Sequence, residues 1–485
     1  KPPACSLAAS SFSETAMRLA PLLLALVALP VFAQQSTTTI PQSALDQVPA
    51  LRERALADRT GWNVVESLTT EVGPRLAGSE ADARAVAWAK AKFKALGYDK
   101  VWTEPVTFPK WVRRGEHAEV LGAHAQPLVV SALGNSPGGT VEGEVVRFPD
   151  LASLQAAPDG SLAGKIAFVD YRMQRYRDGH DYGIAGGGGI RGKGPSAAIR
   201  KGAIGFLMRS AGTDMSRAPH TGMTGFEDGL KPIPSAALST IDAAQLARLV
   251  ALDPRTRVRL ALDCGVEGDY TSQNVIGEIT GHGPRKGEMV LMGGHLDSWD
   301  PGTGAIDDAA GVGISMAAGA LLKPLHPRRT IRVVAFANEE RGLFGGKAYA
   351  AAHANEIAKH QLVSESDFGA GHIYSFNTNA PDSAKPAVAQ IADALKPLGI
   401  EVIDGEGGPE SDVGPIARLG ATWASLSHDG TRYFDYHHNA EDTLDKIDPK
   451  DLAQNVAAYA VFAWLAAQAD RGFGSAPKAA ADAGN

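Results

Sequence analysis

The chain has 485 residues, 44% hydrophobic and 21% charged, a composition that forms a core and excludes disorder as the main state. Its 47 basic and 54 acidic residues leave a formal charge of −7 with no basic stripe, which argues against nucleic acid as a partner. The 54 glycines follow no three-residue repeat, so collagen is excluded, and the length suits roughly two or three domains.

The first methionine is Met17, and residues 1–16 read as an upstream, non-native segment. Arg18, an apolar run over 19–32 and the small-residue site Val31-Phe32-Ala33 make 17–33 a signal peptide. That run is too short for a membrane span of about 20 residues. A periplasmic or secreted protein is expected, with no membrane association after cleavage. Cys5 precedes Met17, so the mature chain keeps only Cys264, expected to be a buried, inert thiol. Residues 34–50 are polar and contain proline, and read as a flexible lead. Over 51–111 apolar residues recur at helical spacing, with a turn at Gly73-Pro74-Arg75, a helix start at Ser79 and a stop at Gly97.

From 112 to 267 short β-like runs such as KIAFVDY and GAIGFLM alternate with helical pieces and glycine-rich connections. The segment holds no His/Asp/Glu cluster at ligand spacing, and a separate binding or covering domain is expected. Its GGGIRGKG run at 187–194 nearly matches a phosphate loop, but Gly194 stands where the hydroxyl residue should be, so it reads as a surface turn. From 268 to 470 strand-like runs (NVIGEI, GEMVLMGGHLD, TIRVVAFANEE, HIYSFN, ATWASLSH) alternate with helices at 311–322, 343–357, 385–398 and 449–468. Near-continuous apolar strands belong to a sheet covered on both faces, which makes this part a three-layer α/β/α sandwich. Residues 471–485 read as a disordered tail.

Ligands of open α/β sheets bind beyond the carboxyl ends of the strands. The polar residues collect there: His295 and Asp297, then Asp307-Asp308 before a helix, Glu339-Glu340, Asp367, and His438 with Asp442-Thr443. Singly, each pair of acids could be a helix cap. Together, the imidazoles and carboxylates suit two zinc ions, with Asp307 as the carboxylate that has two oxygens to share between them. His295 and Asp297 are two apart on a strand, so Asp297 is expected to accept from the second ring nitrogen of His295. Glu339 and Glu340 are adjacent and cannot both point one way, so one would bind metal while the other acts as general base.

HLDSWDPGTGAIDDAAG, ANEERGLFGGKAY, ESDFG and HHNAEDT, with GPRLAGS at 73–79, resemble the co-catalytic di-zinc aminopeptidases over about 50–470, within them the carboxypeptidase Q branch. The resemblance implies that 112–267 is an inserted, β-rich protease-associated domain and that 268–470 is the catalytic domain. It implies one zinc on His295 and Asp367, a second on Glu340 and His438, Asp307 between them and Glu339 as the base. It also implies a cis Asp307–Asp308 peptide, a tyrosine (Tyr433 or Tyr436, with Tyr433 preferred) supporting the oxyanion, and a homodimer. Where simpler members carry Ser-Asp-His, this chain has Ser411-Asp412-Val413, which leaves the substrate-side contacts open. The expected activity is hydrolysis of dipeptides or small peptides with a free N-terminus. The alternatives are a general aminopeptidase, a glutaminyl cyclase-like acyltransferase and a non-catalytic binding protein.

Overall fold

The computed structural model describes residues 37–409 and 411–475, so the 1–16 segment and the 17–33 signal peptide lie outside the described residues. Thirteen strands follow in order: β1 Lys100–Val120, β2 Gln126–Leu128, β3 Val130–Ala132, β4 Gly139–Phe148, β5 Ile166–Val169, β6 Gly205–Arg209, β7 Ser235–Leu238, β8 Arg257–Ile279, β9 Met289–His295, β10 Thr330–Phe336, β11 His360–Glu365, β12 Ile373–Thr378 and β13 Ala424–His428. One mixed sheet runs β11-β9-β10-β8-β4-β5-β6-β7-β3, and β1 also pairs with β8.

The two longest strands tie the sheet together. β1 and β8 are antiparallel from Lys100↔Glu278 to Val120↔Val258. Beside this ribbon, the 275–279 end of β8 pairs with β10, and its 257–262 end pairs with β4. One end thus belongs to a sheet with parallel β9, β10 and β11, the other to a lobe with parallel β4, β5, β6 and β7. The expected boundaries at 112 and 267 fall inside β1 and β8.

The part of the sheet holding β9, β10 and β11 is covered by helices at Thr60–Ser67, Ala310–Leu322 and Pro449–Gln468, and these three strands are buried along their whole length. The Ala305–Leu325 run is apolar enough to cross a membrane but is 89% buried, which marks it as a core helix. The helix Glu80–Ala95 begins as its sequence dictates, with Ser79 Oγ accepting from the Asp82 N–H.

Three sequence expectations are corrected. Residues 37–50 are not a loose lead: helices form at Gln42–Leu45 and Val48–Ala57 because Ile40, Ala44 and Val48 are buried in the core. Residues 471–475 are packed, since Phe473 is fully buried and its N–H bonds Gln361, while 476–485 lie outside the described residues. The GGGIRGKG run is not a turn but opens the helix Gly187–Arg200. Its glycines serve close packing: a Cβ on Gly189 would lie 1.8 Å from the Ile184 carbonyl oxygen. Cys264 is buried as expected, and its Sγ–H donates to the Ser136 carbonyl.

Candidate metal centre

The sequence-selected residues converge beyond the carboxyl ends of β9, β10 and β11. His295 is the last residue of β9, and Glu339 and Glu340 follow β10 through Asn338, which takes a left-handed φ of 51°. Asp367 follows β11, and His438 follows β13 and the one-turn helix Tyr433–Tyr436. Asp307 sits before the helix Ala310–Leu322, and its peptide bond to Asp308 is cis. Glycines bring these pieces together: a Cβ on Gly311 would lie 1.8 Å from the Ser366 carbonyl oxygen, and one on Gly294 would lie 2.6 Å from Asp308 Oδ2.

The two oxygens of Asp307 face different histidines. His295 Nε2 lies 2.9 Å from Asp307 Oδ1 and 3.1 Å from Asp367 Oδ1. His438 Nε2 lies 3.2 Å from Asp307 Oδ2 and 2.9 Å from Glu340 Oε2. All of these side chains are at most 10% exposed. Three overlapping triads have ligand atoms within 4.8 Å of one another: Asp307/His437/His438, His295/Asp307/Glu340 and His295/Asp308/Asp367.

Two of those triads include residues that sequence reasoning left out, and their other contacts weigh against them. Asp308 spends both oxygens on backbone, accepting from the His295 N–H at 3.0 Å and the Gly311 N–H at 2.8 Å. His437 stacks on His438 but keeps its Nε2 3.7 Å from Asp307.

The donor set fits metal. It offers imidazole nitrogens and carboxylate oxygens, the ligands zinc takes. Glu340 Oε1 is buried with no hydrogen-bond donor, and Asp307 Oδ2 receives no aligned one. Such oxygens are costly unless a cation meets them.

Charge in the site is lopsided. Burial pushes the Glu339 carboxyl well above the ordinary range, and the Asp367 carboxylate adds to the push. Burial likewise raises Asp412 to about 8 and Asp442 to about 7. Burial opposes a charged His438, but Glu340 and Asp307 outweigh it and hold the ring near 9.

Asp297 departs from its expected contact. The nitrogen His295 Nδ1 is 3.0 Å from the Asp297 backbone carbonyl but 3.7 Å from its carboxylate. β9 ends at His295, so strand alternation no longer places the two side chains on one face. The Asp297 carboxylate instead accepts the Glu339 N–H at 3.0 Å. Both glutamates line a cavity of about 660 Å³, and Glu340 pairs with His438 there while Glu339 makes no such pair.

The two candidate tyrosines lie apart. Tyr433 lines that cavity, feels the charges of Asp307, Asp367 and Glu340, and its hydroxyl makes no hydrogen bond among the described residues. Tyr436 lines a different groove, where its hydroxyl accepts from the Arg432 guanidinium. Ser411 donates to Asp367 Oδ2, and the Asp412 carboxylate accepts the Gly346 N–H, so the departing Ser-Asp-Val run props a site residue from behind.

Sequence reasoning gave several participants no role. Arg75 is fully buried and donates to the carbonyls of Leu296, Thr303 and Gly304, the loop between His295 and Asp307. Asp442 accepts the N–H groups of Ala305 and Ile306 just before Asp307. Tyr182 and Arg191 reach the cavity from the far lobe, where Arg191 donates to Tyr182 and to the carbonyls of Thr221 and Met223. Only the Arg75 motif and Asp442 carried any sequence signal, through GPRLAGS and the Asp-Thr pair.

Comparison with known proteins agrees with this geometry. Residues 274–463 match the model of peptidase family M28. Carboxypeptidase Q of Mus musculus is 32% identical over 410 residues, 83% of this chain and 84% of that protein. Carboxypeptidase Q of Homo sapiens is 32% identical over 418 residues, covering 85% and 86%. The solved peptidase M28 precursor from Shewanella amazonensis superposes with a TM-score of 0.84 at 47% identity, over 87% of this chain and 96% of that one. A zinc aminopeptidase from Bacillus subtilis shares the fold with a TM-score of 0.61 at 18% identity, covering 83% and 94%. The chain therefore belongs to peptidase family M28 and is a zinc metallopeptidase.

Proposed function

We propose an exported di-zinc exopeptidase that hydrolyses dipeptides or small peptides with a free N-terminus. The observation that carries the reading is Asp307, whose Oδ1 faces His295 at 2.9 Å while its Oδ2 faces His438 at 3.2 Å. In this reading His295 and Asp367 would hold one zinc and Glu340 and His438 the other, with Asp307 available to both. When bound, the two ions supply Lewis acidity toward the scissile carbonyl and lower the pKa of water.

The chain's own groups do the rest. Glu339 accepts the proton of the attacking water and returns it to the leaving amine, and Asp297 fixes the Glu339 backbone for that task. Tyr433 offers its free hydroxyl to the developing oxyanion. Export through 17–33, a protease-associated identity for the far lobe and a homodimeric state enter this reading from the sequence.

Small substrates are favoured because the cavity is walled from both sides. Tyr182, Arg191 and Met223 of the far lobe and Tyr433 and Glu339 of the near one share it. The transferase and non-catalytic alternatives have no observation in their favour. The test is a matched panel with zinc-loaded protein: a free dipeptide, its N-acetyl form, its C-terminal amide and a longer peptide with the same first residue. Cleavage of the free dipeptide with no cleavage of the acetylated form is the expected result. Equal cleavage of the acetylated form would remove the free N-terminus from the reading, and faster cleavage of the longer peptide would make the protein a general aminopeptidase.

A further inference from the structure

The loop that presents His438 is held from the far lobe as well as by its own bonds, the His437 N–H to the Tyr433 carbonyl and the Asn439 N–H to the Tyr436 carbonyl. His438 has a left-handed φ of 62°, a conformation a non-glycine residue keeps only when its surroundings fix it. Those surroundings are residues 213–221. The Thr213 N–H donates to the Phe434 carbonyl at 3.0 Å, and the Thr221 N–H to the His438 carbonyl at 3.1 Å. His438 Nδ1 in turn lies 3.3 Å from the Thr221 carbonyl oxygen. Arg191 Nη1 lies at the same 3.3 Å from that nitrogen; with the Nδ1 proton directed to the Thr221 carbonyl, the lone pair falls on Nε2, the atom that faces Asp307 and Glu340.

His220 stands at the centre of this clasp. Its Nδ1 lies 2.6 Å from the His437 carbonyl oxygen, and its Nε2 lies 2.8 Å from Asp214 Oδ1 and 3.0 Å from the Asn439 amide nitrogen. The two side chains are 0% and 5% exposed. The base of the clasp is anchored in the far lobe: the His220 N–H bonds Ser210 Oγ at 2.8 Å, and Thr221 Oγ1 donates to the Ala132 carbonyl at 2.6 Å. None of these groups touches a reacting atom.

We propose that His220, oriented by Asp214, is a positioning residue that holds the His437–His438 peptide so that His438 can ligate the second metal, which makes the far lobe part of the metal centre. This rests on the reading of His438 as a ligand. It goes beyond that reading in giving a catalytic-side ligand a support from the other end of the β1/β8 ribbon.

The test separates the two nitrogens of His220. Asparagine places its amide nitrogen where Nδ1 was and keeps a donor for the His437 carbonyl. Glutamine places its amide nearer the Nε2 position and leaves that carbonyl without one. Metal-free wild type, His220→Asn and His220→Gln are titrated with zinc against a chromophoric chelator, with circular dichroism melts to show that each folds. Wild type is expected to take two equivalents. His220→Gln is expected to bind one of them about 10-fold to 100-fold more weakly and the other unchanged, with His220→Asn restoring most of the loss.

Two unaltered equivalents in His220→Gln, equal weakening of both, or no rescue by asparagine would overturn the proposal. A wild type that takes no second equivalent would overturn this inference and the di-zinc reading together, so the two failures are distinguishable. Should His220→Gln not fold, the Asp214→Leu/His220→Leu pair removes the buried carboxylate with its partner, and the same selective loss is expected of it.

Discussion

Replacing Arg75 by methionine tests how the loop between His295 and Asp307 is held. The guanidinium is fully buried and donates at 2.6 Å to the Leu296 carbonyl, at 2.7 Å to Thr303 and at 2.9 Å to Gly304. Methionine keeps most of the volume and removes every donor. A hydrogen bond from a charged donor contributes about 1.5–3 kcal/mol net, so three independent bonds would give an upper bound of roughly 4.5–9 kcal/mol. They are not independent, because one loop relaxes for all three. The charge matters too: Asp442, Asp297, Asp308 and Asp307 all act on Arg75, and removing a buried partner from opposite charges typically costs about 3–5 kcal/mol. We expect a loss of about 4 kcal/mol, read by equilibrium denaturation of the metal-free protein, with weakened zinc uptake because Asp307 is displaced. Arg75→Lys should recover less than half of the loss, since one ammonium cannot reproduce a planar fork aimed at three carbonyls. A loss under about 1 kcal/mol with normal zinc uptake would refute the clamp, because unsatisfied buried carbonyls cannot be that cheap.

Two further outcomes follow from the geometry. Glu339→Gln should keep zinc and lose about 10²-fold to 10⁴-fold in kcat, whereas Asp307→Ala should lose zinc itself; turnover at the wild-type rate in the first variant, or full metal content in the second, would reverse the assignments. Well away from the metal centre, burial and then the charge of Arg332 push His360 down to about 4. An unfolded histidine titrates near 6.5, so between about pH 4 and 6.5 the unfolded chain binds the extra proton and stability falls with falling pH. The contribution of His360 is present above about 6.5 and amounts to roughly 3 kcal/mol lost by pH 4. His360→Gln should therefore flatten the dependence of unfolding free energy on pH in that window, and an unchanged slope would remove His360 as its source.

Legibility followed the range of the interactions. The ends of β9 and β10 could be found because apolar runs stop there and polar residues begin, and that local contrast located His295, Glu339 and Glu340, whereas β11 was not read as a strand and Asp367 entered through the loop and the ESDFG motif. The helix Pro449–Gln468 was bounded correctly because Pro449 and its capping Asp448 are local signals. What failed depended on tertiary context. GGGIRGKG looks like a turn by composition and is a helix because Gly188 and Gly189 pack against Tyr182 and Ile184. Asp297 kept its site position but exchanged its partner, because β9 ends at His295 and does not reach Asp297. His220, Arg191 and Tyr182 are roughly 200 residues from the loops they touch, and a single sequence carries no record of that proximity.

The buried charge gives a reason why these supports are needed. Around Asp307 the chain gathers Asp297, Asp308, Glu340, Glu365, Asp412 and Asp442, all buried, with Glu339 and Asp367 at the rim. The cations set among them are Arg75, His295 and His438. Burial holds Asp308, Glu365, Asp412 and Asp442 above their ordinary range, and neighbouring carboxylates push the same way. Carboxylates crowded like this repel, and no hydrophobic term in a well-packed core aims them at a common point. Their positions must therefore come from backbone donors that bind each one separately: Gly311 for Asp308, Gly346 for Asp412, Val413 for Glu365, Ala305 and Ile306 for Asp442. Asp307 and Glu340 have no such backbone donor; like Asp297, Glu365 and Asp412 each keeps one oxygen unpaired, and both face His438. A pair of dications would bring their compensation to those oxygens in particular, so metal binding and the stability of this end of the sheet are one linked equilibrium.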